Sequence, residues 1–283
     1  MSDGPTSTEG AVDRTTDSSV DSPDERPLRA LVIEHDAYSA PGLVGASLAD
    51  FGYQVVRDLV VPAEAFASPG VEHTFPDPTE FDLVVPLGAP WSAYDEEGIG
   101  SWLRPELDLL RRAHEADIPV LAICFGGQAM SLALDGSVEP APDWEIGYHP
   151  IETDEPRLVS AGPWFQFHHD QMVPPADAVV VARNALGVQA WRRGRTLAVQ
   201  FHPEVTPEVV DLWLTHGGDQ VVTGHGLDVE DLRASLRDNA DRASYLTHKL
   251  IKSFMIYVNA PVGSPVEASA ESLGHRGSVA DEA

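Results

Sequence analysis

The sequence contains a single cysteine and no long apolar run. Cys124 stands alone among 283 residues, which excludes a framework of internal disulfides and suits a reducing compartment. No segment approaches the roughly 18 unbroken apolar residues of a membrane-spanning helix. Residues 1–27 lack the basic start and the apolar stretch of a secretory signal peptide. Together these absences predict a cytoplasmic protein.

Basic residues are also scarce. The chain has 18 Lys and Arg against 45 Asp and Glu, a formal net charge of -27. A surface this acidic repels nucleic-acid phosphates and anionic lipids. We therefore expect neither nucleic acid nor a membrane among its partners. The excess of acid fits adaptation to high salt and solubility alone equally well.

Composition divides the chain into two tails and a middle. Residues 1–27 contain almost no large apolar side chain, and residues 261–283 have a similar composition. Such segments cannot bury enough surface to offset the entropy lost on ordering, so both are predicted to be disordered. Between them we expect one domain over 28–217 and a helical extension over 218–260 that packs on it.

The first half of the middle alternates strand and helix patterns. Short apolar runs typical of buried parallel strands lie at 28–34, 53–60, 81–87 and 118–123. Helical patterns lie at 42–51 and 101–116, and another helix is expected directly after Cys124. This order predicts a doubly wound α/β domain with a mostly parallel sheet.

The second half is different, because its strand candidates follow one another closely with turn residues between them. They lie at 145–153, 178–184, 187–193 and 196–201. We expect them to form a smaller antiparallel portion. Two helices are predicted to complete the fold, at 206–217 and 228–258, and the second has an amphipathic stripe suited to packing on the sheet.

Cys124 lies where the fourth predicted strand ends and its helix begins. A sharp turn there lifts a side chain clear of the sheet but needs small neighbours, which Ala122, Gly126 and Gly127 supply. A helix N-terminus also lowers the pKa of a thiol. A cysteine that only fills a core needs none of these features, so Cys124 is a candidate nucleophile.

A thiol nucleophile needs a base, and the base needs an orienting group. The segment "AVQFHPEV" places His202 and Glu204 two residues apart at the end of an apolar strand. Both side chains can therefore face the same side. A carboxylate beside an imidazole selects one tautomer and stabilises the imidazolium. His202 and Glu204 are thus the candidate base and orienting residue.

Two of these segments, "ICFGGQ" and the later "QFHPE", resemble the motifs of the class I (triad) glutamine amidotransferases. Three further fragments are similar to the family in the same order: "PLGAPWSAYDEE" (86–97), "EIGYHPI" (145–151) and "QFHHDQM" (166–172). The resemblance covers most of 28–217 and implies a flavodoxin-like fold. The segments "FGGQ" and "GAPWSAYDE" resemble the stand-alone group of this family that is related to the glutaminase domains of guanylate synthases.

The resemblance implies a catalytic role for each triad residue. Cys124 would attack the side-chain amide of L-glutamine, giving a γ-glutamyl thioester and ammonia. His202 would accept the thiol proton and pass it to the leaving amine, with Glu204 orienting the ring.

The resemblance also implies roles in binding the oxyanion and the substrate. Backbone N–H groups of Phe125 and of the Gly88–Ala89 turn would hold the oxyanion. Gln128 would contact the amino-acid end of the substrate, and Phe167 and His168 would bind it through their backbone. Ala89 replaces a glycine of the family pattern. If that position requires a positive φ, alanine disfavours the active peptide orientation, and basal activity is then low until a partner docks.

The sequence predicts no metal and no other cofactor. The stretches His168-His169-Asp170 and His202-Pro203-Glu204, together with His149, offer zinc-type ligands at spacings that match no familiar zinc signature. Neither a dinucleotide-binding nor a Walker A motif occurs.

Three functions remain open from the sequence. An amidotransferase would supply ammonia to a separate synthase chain, because residues 218–283 are too short and acidic for a synthase module. A free-standing γ-glutamyl hydrolase would use the same residues. A catalytically silent binding module would keep only the fold, although such proteins usually lose the cysteine or the histidine.

Overall fold

The computed structural model describes residues 26–260. Apart from residues 26 and 27, the predicted tails at 1–27 and 261–283 lie outside this part of the chain. The strands are β1 (Arg29–Asp36), β2 (Gln54–Val61), β3 (Leu83–Pro86), β4 (Val120–Ile123), β5 (Ser137–His149), β6 (Glu152–Thr153), β7 (Trp164–Val173), β8 (Val179–Arg183), β9 (Val188–Arg193) and β10 (Thr196–Val199). The helices are α1 (Gly42–Asp50), α2 (Glu96–Glu115), α3 (Phe125–Ala133), α4 (Pro207–Trp213), α5 (Asp219–Gly224) and α6 (Val229–Asn259).

Eight strands form one sheet in the order β2-β1-β3-β4-β10-β9-β8-β6. The five strands from β2 to β10 are parallel to their neighbours, and the remaining pairs are antiparallel. This arrangement confirms the predicted flavodoxin-like doubly wound sheet with a smaller antiparallel portion. Helices α1, α2 and α3 follow β1, β3 and β4 along the chain, and such helical connections are usual between parallel strands. The segment between β2 and β3 contains only two short 3-10 turns.

Both faces of the sheet are covered, so its central strands are apolar on both sides. In β1, Ala30 and Val32 belong to one buried cluster, and Leu31 and Ile33 belong to another. Helices α1 and α6 cover the first face, and α2 and α3 cover the second. The stripe of α6 buries Leu246, Leu250 and Phe254 in the first cluster.

Strand β7 was not predicted from the sequence. It pairs with β5 in a separate two-stranded antiparallel sheet. The predicted strand 145–153 is therefore divided, because its first part belongs to β5 and its end forms β6 in the main sheet. Alternate residues of β7 are buried but polar, namely Gln166, His168 and Asp170. The usual pattern of apolar inward-facing residues is therefore missing, and the run does not resemble a strand.

Two helix boundaries also differ from the predictions. Helix α2 begins at Glu96 rather than 101, because the Asp95 carboxylate accepts a hydrogen bond from the Gly98 N–H at 2.9 Å and caps the helix. The helix predicted over 206–217 is α-helical only to Trp213. It continues into a π-helical turn with non-helical dihedral angles at His216 and Gly217, and α5 follows.

None of the helices within 26–260 is long and apolar enough to cross a membrane.

Candidate active site

A cavity of about 450 Å³ lies where the parallel strands end. Its walls include Asp36 at the end of β1, Gly88 after β3, Cys124 after β4 and His202 after β10. The carboxyl ends of parallel strands meet at one edge of the sheet, which is where open α/β sheets bind ligands. The topology thus brings together residues that are far apart in sequence.

Cys124 forms the turn between β4 and α3. Its φ of 51° and ψ of -110° are unusual for a residue with a side chain. The Cys124 N–H donates to the Val199 carbonyl at 2.8 Å, and its own carbonyl accepts from the Gln128 N–H at 3.0 Å. These two hydrogen bonds hold the strained turn between the sheet and the helix.

Glycine is required two residues after the cysteine. A Cβ on Gly126 would lie 2.2 Å from the Pro86 carbonyl oxygen. The Gly126 N–H donates to the Leu87 carbonyl at 2.9 Å. The start of α3 therefore packs directly against the backbone that leads into Gly88.

His202 and Glu204 form a buried pair. Nδ1 of His202 lies 2.7 Å from Oε1 of Glu204, and both side chains are almost fully buried. Within residues 26–260, neither Nε2 of His202 nor Oε2 of Glu204 has another hydrogen-bond partner. Because Nδ1 faces the carboxylate, Nε2 is left for a different group in the cavity.

The imidazole is electrostatically stabilised in its charged form. Burial lowers the pKa of His202, but the negative charges of Cys124 and Glu204 outweigh burial and raise that pKa well above its ordinary value. Gly88 packs against both His202 and Cys124. A Cβ atom on Gly88 would lie 2.9 Å from Cε1 of His202 and 3.8 Å from Cβ of Cys124. His202, Gly88 and Cys124 are thus close neighbours in the cavity.

The predicted oxyanion donors also line the cavity. In the described part of the chain, the N–H groups of Gly88, Ala89 and Phe125 donate no hydrogen bond to a carbonyl, so all three are available to a ligand. Only Asp117, Cys124 and Asp135 among the non-glycine residues of 26–260 have a positive φ. Ala89 therefore does not adopt the left-handed conformation that would disfavour alanine.

The predicted substrate-contacting residues also line the cavity. Gln128 is buried and its Nε2 donates to the Asp170 carbonyl at 3.1 Å. His168 is buried, with Nε2 at 3.0 Å from Oε1 of Gln166 and 3.2 Å from Oε2 of Glu145. Phe167 is half-buried and lines the cavity beside both. The side chain of His168 is thus occupied by structural partners.

Several cavity residues were not predicted from the sequence. Asp36, at the end of β1, lines the cavity. Gln200 is fully buried next to the cavity, and its Nε2 donates to Sγ of Cys124 at 3.7 Å. An aromatic wall is formed by Tyr38, Phe66, Trp91, Trp144 and Trp213. The polar run "EHD" (34–36) at the end of an otherwise apolar strand was the one available signal for Asp36. Nothing in the local sequence marks the aromatic residues as neighbours.

The stretches that offered zinc-type ligands do not meet at one point. Within residues 26–260, no group of three or more His, Cys, Asp or Glu side chains is arranged to hold a metal ion. His149 Nε2 lies 3.0 Å from the Ile146 carbonyl instead.

Comparison with known proteins relates this geometry to one family. The model of the family described as glutamine amidotransferase class-I matches residues 58–214, more than half of the chain. The glutamine amidotransferase-like protein YfeJ of Salmonella typhimurium is 26% identical over 215 residues, covering 70% of this chain and 85% of YfeJ.

Two further matches cover different shares of the proteins compared. The glutamine-hydrolysing GMP synthase of Salmonella typhimurium is 31% identical over 182 residues, which cover 56% of this chain but only 33% of the synthase. The crystal structure of a glutamine amidotransferase from Thermotoga maritima superposes with a TM-score of 0.69 at 23% identity. That match covers 83% of this chain and all of the other, and it shows a shared fold.

Proposed function

The chain belongs to the class I glutamine amidotransferase family, and from this premise we propose that it hydrolyses the side-chain amide of L-glutamine. The observation that supports the proposal is a single cysteine on a strained strand-to-helix turn, beside a buried histidine and glutamate. In this proposal Cys124 is the nucleophile, His202 the general base and acid, and Glu204 the orienting carboxylate.

The reaction proceeds in two halves. The Cys124 thiolate attacks the amide carbon and forms a carbon–sulfur bond, while the carbonyl oxygen becomes an oxyanion. The His202 imidazolium then donates its proton to the amide nitrogen, the carbon–nitrogen bond breaks and ammonia leaves. In the second half, His202 takes a proton from water, which attacks the thioester. Glutamate leaves, and the proton returns to the sulfur.

Backbone donors stabilise the charge that develops on oxygen. The unpaired N–H groups of Gly88, Ala89 and Phe125 lie beside the nucleophile and require no rearrangement of a side chain. Gln128, together with the backbone of Phe167 and His168, holds the amino-acid end of glutamine.

We assign the released ammonia to a separate synthase chain. The glutamine-hydrolysing GMP synthase aligns with this chain over only 33% of its own length. The remaining part of that relative has no counterpart in the aligned residues. Capture of an ATP-binding partner that stimulates ammonia release would support this assignment, whereas full activity of the purified chain without any partner would count against it.

The size of the cavity favours a second candidate, hydrolysis of a γ-glutamyl amide. A volume of about 450 Å³ lies within the range of roughly 300–1,000 Å³ that holds drug-sized ligands, which are much larger than glutamine. Tyr38, Trp91 and Trp213 line part of this space. An amine group attached to the γ-carboxyl could occupy the aromatic side while the same thioester chemistry proceeds.

The experiment measures ammonia release from L-glutamine and amine release from a panel of γ-glutamyl amines. The purified parent protein is compared with Cys124→Ala. Release by the parent that disappears in the variant supports the proposed chemistry, and the preferred substrate separates the two candidates. If the parent protein is inactive on every substrate, and its Cys124 also resists a glutamine-like electrophile, a catalytically silent binding module is the function that remains.

A further inference from the structure

A second histidine–carboxylate pair lies beside the site and takes no part in the proposed chemistry. His35 in β1 and Glu106 in α2 are both fully buried, and Nε2 of His35 lies 2.9 Å from Oε1 of Glu106. Within residues 26–260, Oε2 of Glu106 has no hydrogen-bond partner. Isolated buried pairs of this kind are not in general more stable than apolar residues of the same size. Stability alone therefore does not explain the pair.

The other ring nitrogen of His35 contacts the candidate oxyanion turn. Nδ1 lies 3.1 Å from the Gly88 carbonyl oxygen. A carbonyl can only accept, so Nδ1 must carry the proton and donate. Glu106 supports that donation by holding the opposite side of the ring. Burial lowers the pKa of His35, but Glu106 and the Gly88 carbonyl outweigh burial and raise it.

This hydrogen bond determines where the next N–H points. The Gly88–Ala89 peptide is trans, so its C=O and N–H point in opposite directions. With the carbonyl held by His35, the Ala89 N–H is directed to the other side of the peptide, and Ala89 lines the cavity with Cys124. The His35 ring also packs edge-on against Phe125, with ring centroids 4.7 Å apart. One imidazole thus touches both segments that carry the proposed donors.

We propose that His35 and Glu106 are positioning residues that hold the Gly88–Ala89 peptide in the orientation in which the Ala89 N–H stabilises the oxyanion. The inference rests on the proposed function, because it concerns the same reaction. It predicts that the pair affects the chemical step, while formation of the nucleophile depends on His202 and remains intact.

Two substitutions of His35 separate the contacts of its two nitrogens. His35→Asn places an amide nitrogen near the position of Nδ1 and can still donate to Gly88. His35→Gln places its amide near Nε2 and keeps only the contact with Glu106. Both remove the ring, and glutamine fills its space better than asparagine does, so a higher kcat in His35→Asn would not come from better packing.

Three quantities are measured on each variant: kcat, KM and the rate of Cys124 alkylation by iodoacetamide. For His35→Gln we expect kcat to fall roughly 100- to 1,000-fold, the loss typical of one missing oxyanion donor, with little change in KM or in alkylation. For His35→Asn we expect most of kcat to return. Equal kcat in both variants, or loss of alkylation along with kcat, would overturn the inference and leave a structural role.

If neither His35 variant folds, two variants of Glu106 test the same inference. Glu106→Gln still holds Nε2 of His35 through an amide, and Glu106→Met does not. We expect a low kcat in Glu106→Met only, and equal values would refute the inference. A parent that hydrolyses neither glutamine nor any γ-glutamyl amide refutes the proposed function instead. An active parent with equally active His35→Gln refutes only the positioning role.

Discussion

Replacing Glu204 by glutamine removes one charge from the buried pair and preserves its shape. The carboxylate lies 2.7 Å from Nδ1 of His202 and is almost fully buried, and in residues 26–260 its second oxygen has no partner. Solvent therefore screens the interaction little. A hydrogen bond to a charged group contributes about 1.5–3 kcal/mol. If that stabilisation is fully expressed in the transition state, kcat falls roughly 10- to 150-fold in Glu204→Gln.

The pH dependence should change in a defined direction. Glu204 raises the pKa of His202, so its loss lowers that pKa and the imidazolium loses its proton at lower pH. The alkaline limb of kcat/KM should shift towards acid. The assay is ammonia or amine release on the preferred substrate across the pH range. Glu208→Gln is the matched control, because Glu208 is exposed on the same segment. A variant with kcat within twofold of the parent and an unmoved alkaline limb would show that Glu204 does not support the base.

Three further variants are expected to change stability. His202→Ala leaves the buried Glu204 carboxylate without its partner and should lower the free energy of unfolding by about 3–5 kcal/mol in urea titrations. Gly126→Ala should lower the melting temperature and the alkylation rate of the cysteine, because the added methyl group meets backbone 2.2 Å away. Glu145→Gln should be less stable than the parent at neutral pH, with a difference that shrinks as the pH falls below about 4.

The sign of the Glu145 effect follows from its surroundings. Burial raises its pKa, but hydrogen bonds from His168, Asn184 and Gln189 outweigh burial, and the pKa lies below its ordinary value. The folded protein therefore favours the ionised form. That stability is present above the unfolded pKa of about 4.3 and is lost as the pH falls through the folded value. A stability difference that stays constant down to pH 3 would contradict this assignment.

Each of the other two variants has its own control. Gly224→Ala adds a methyl group where no atom lies within 4 Å, so it should be neutral or slightly stabilising. If Gly126→Ala and Gly224→Ala had the same melting temperature, this result would contradict the close packing of Gly126 against the Pro86 backbone. Adding Glu204→Ala to His202→Ala should recover part of the lost stability, because the unpaired charge is gone. A double variant less stable than His202→Ala would contradict that explanation.

The parallel half of the fold could be predicted from local patterns. Strands β1, β3 and β4 are buried on both faces, so each is a short apolar run that stands out between amphipathic helices. Strand β7 could not be predicted in this way, because its inward-facing residues are polar and pair with side chains far away in sequence. Gln166 donates to Gln189, His168 contacts Glu145, and Asp170 accepts hydrogen bonds from Ser92 and Tyr94. Such partners belong to the tertiary structure and leave no periodic signal.

The candidate site also contains residues that the local sequence reveals and others that only the tertiary structure reveals. Cys124, His202 and Glu204 each stand in a short motif, and the rule that parallel strands end at one edge places them together. His35 and Glu106 are 71 residues apart. His35 lies in the polar run "EHD" and Glu106 in an amphipathic helix, and neither local pattern points to the other. Only the packing of α2 against β1 reveals them as a pair. Their relation to Gly88 is therefore a finding of the structure.

The decisive measurement is the identification of the residue that becomes covalently modified during turnover. The parent protein is mixed with its preferred substrate, quenched in acid and digested, and the peptides are analysed by mass spectrometry. We expect a γ-glutamyl group in thioester linkage on the peptide that contains Cys124 and its absence in Cys124→Ala. Ammonia or amine release without such an adduct, at an equal rate in the parent and in Cys124→Ala, would contradict the assignment of Cys124 as the nucleophile.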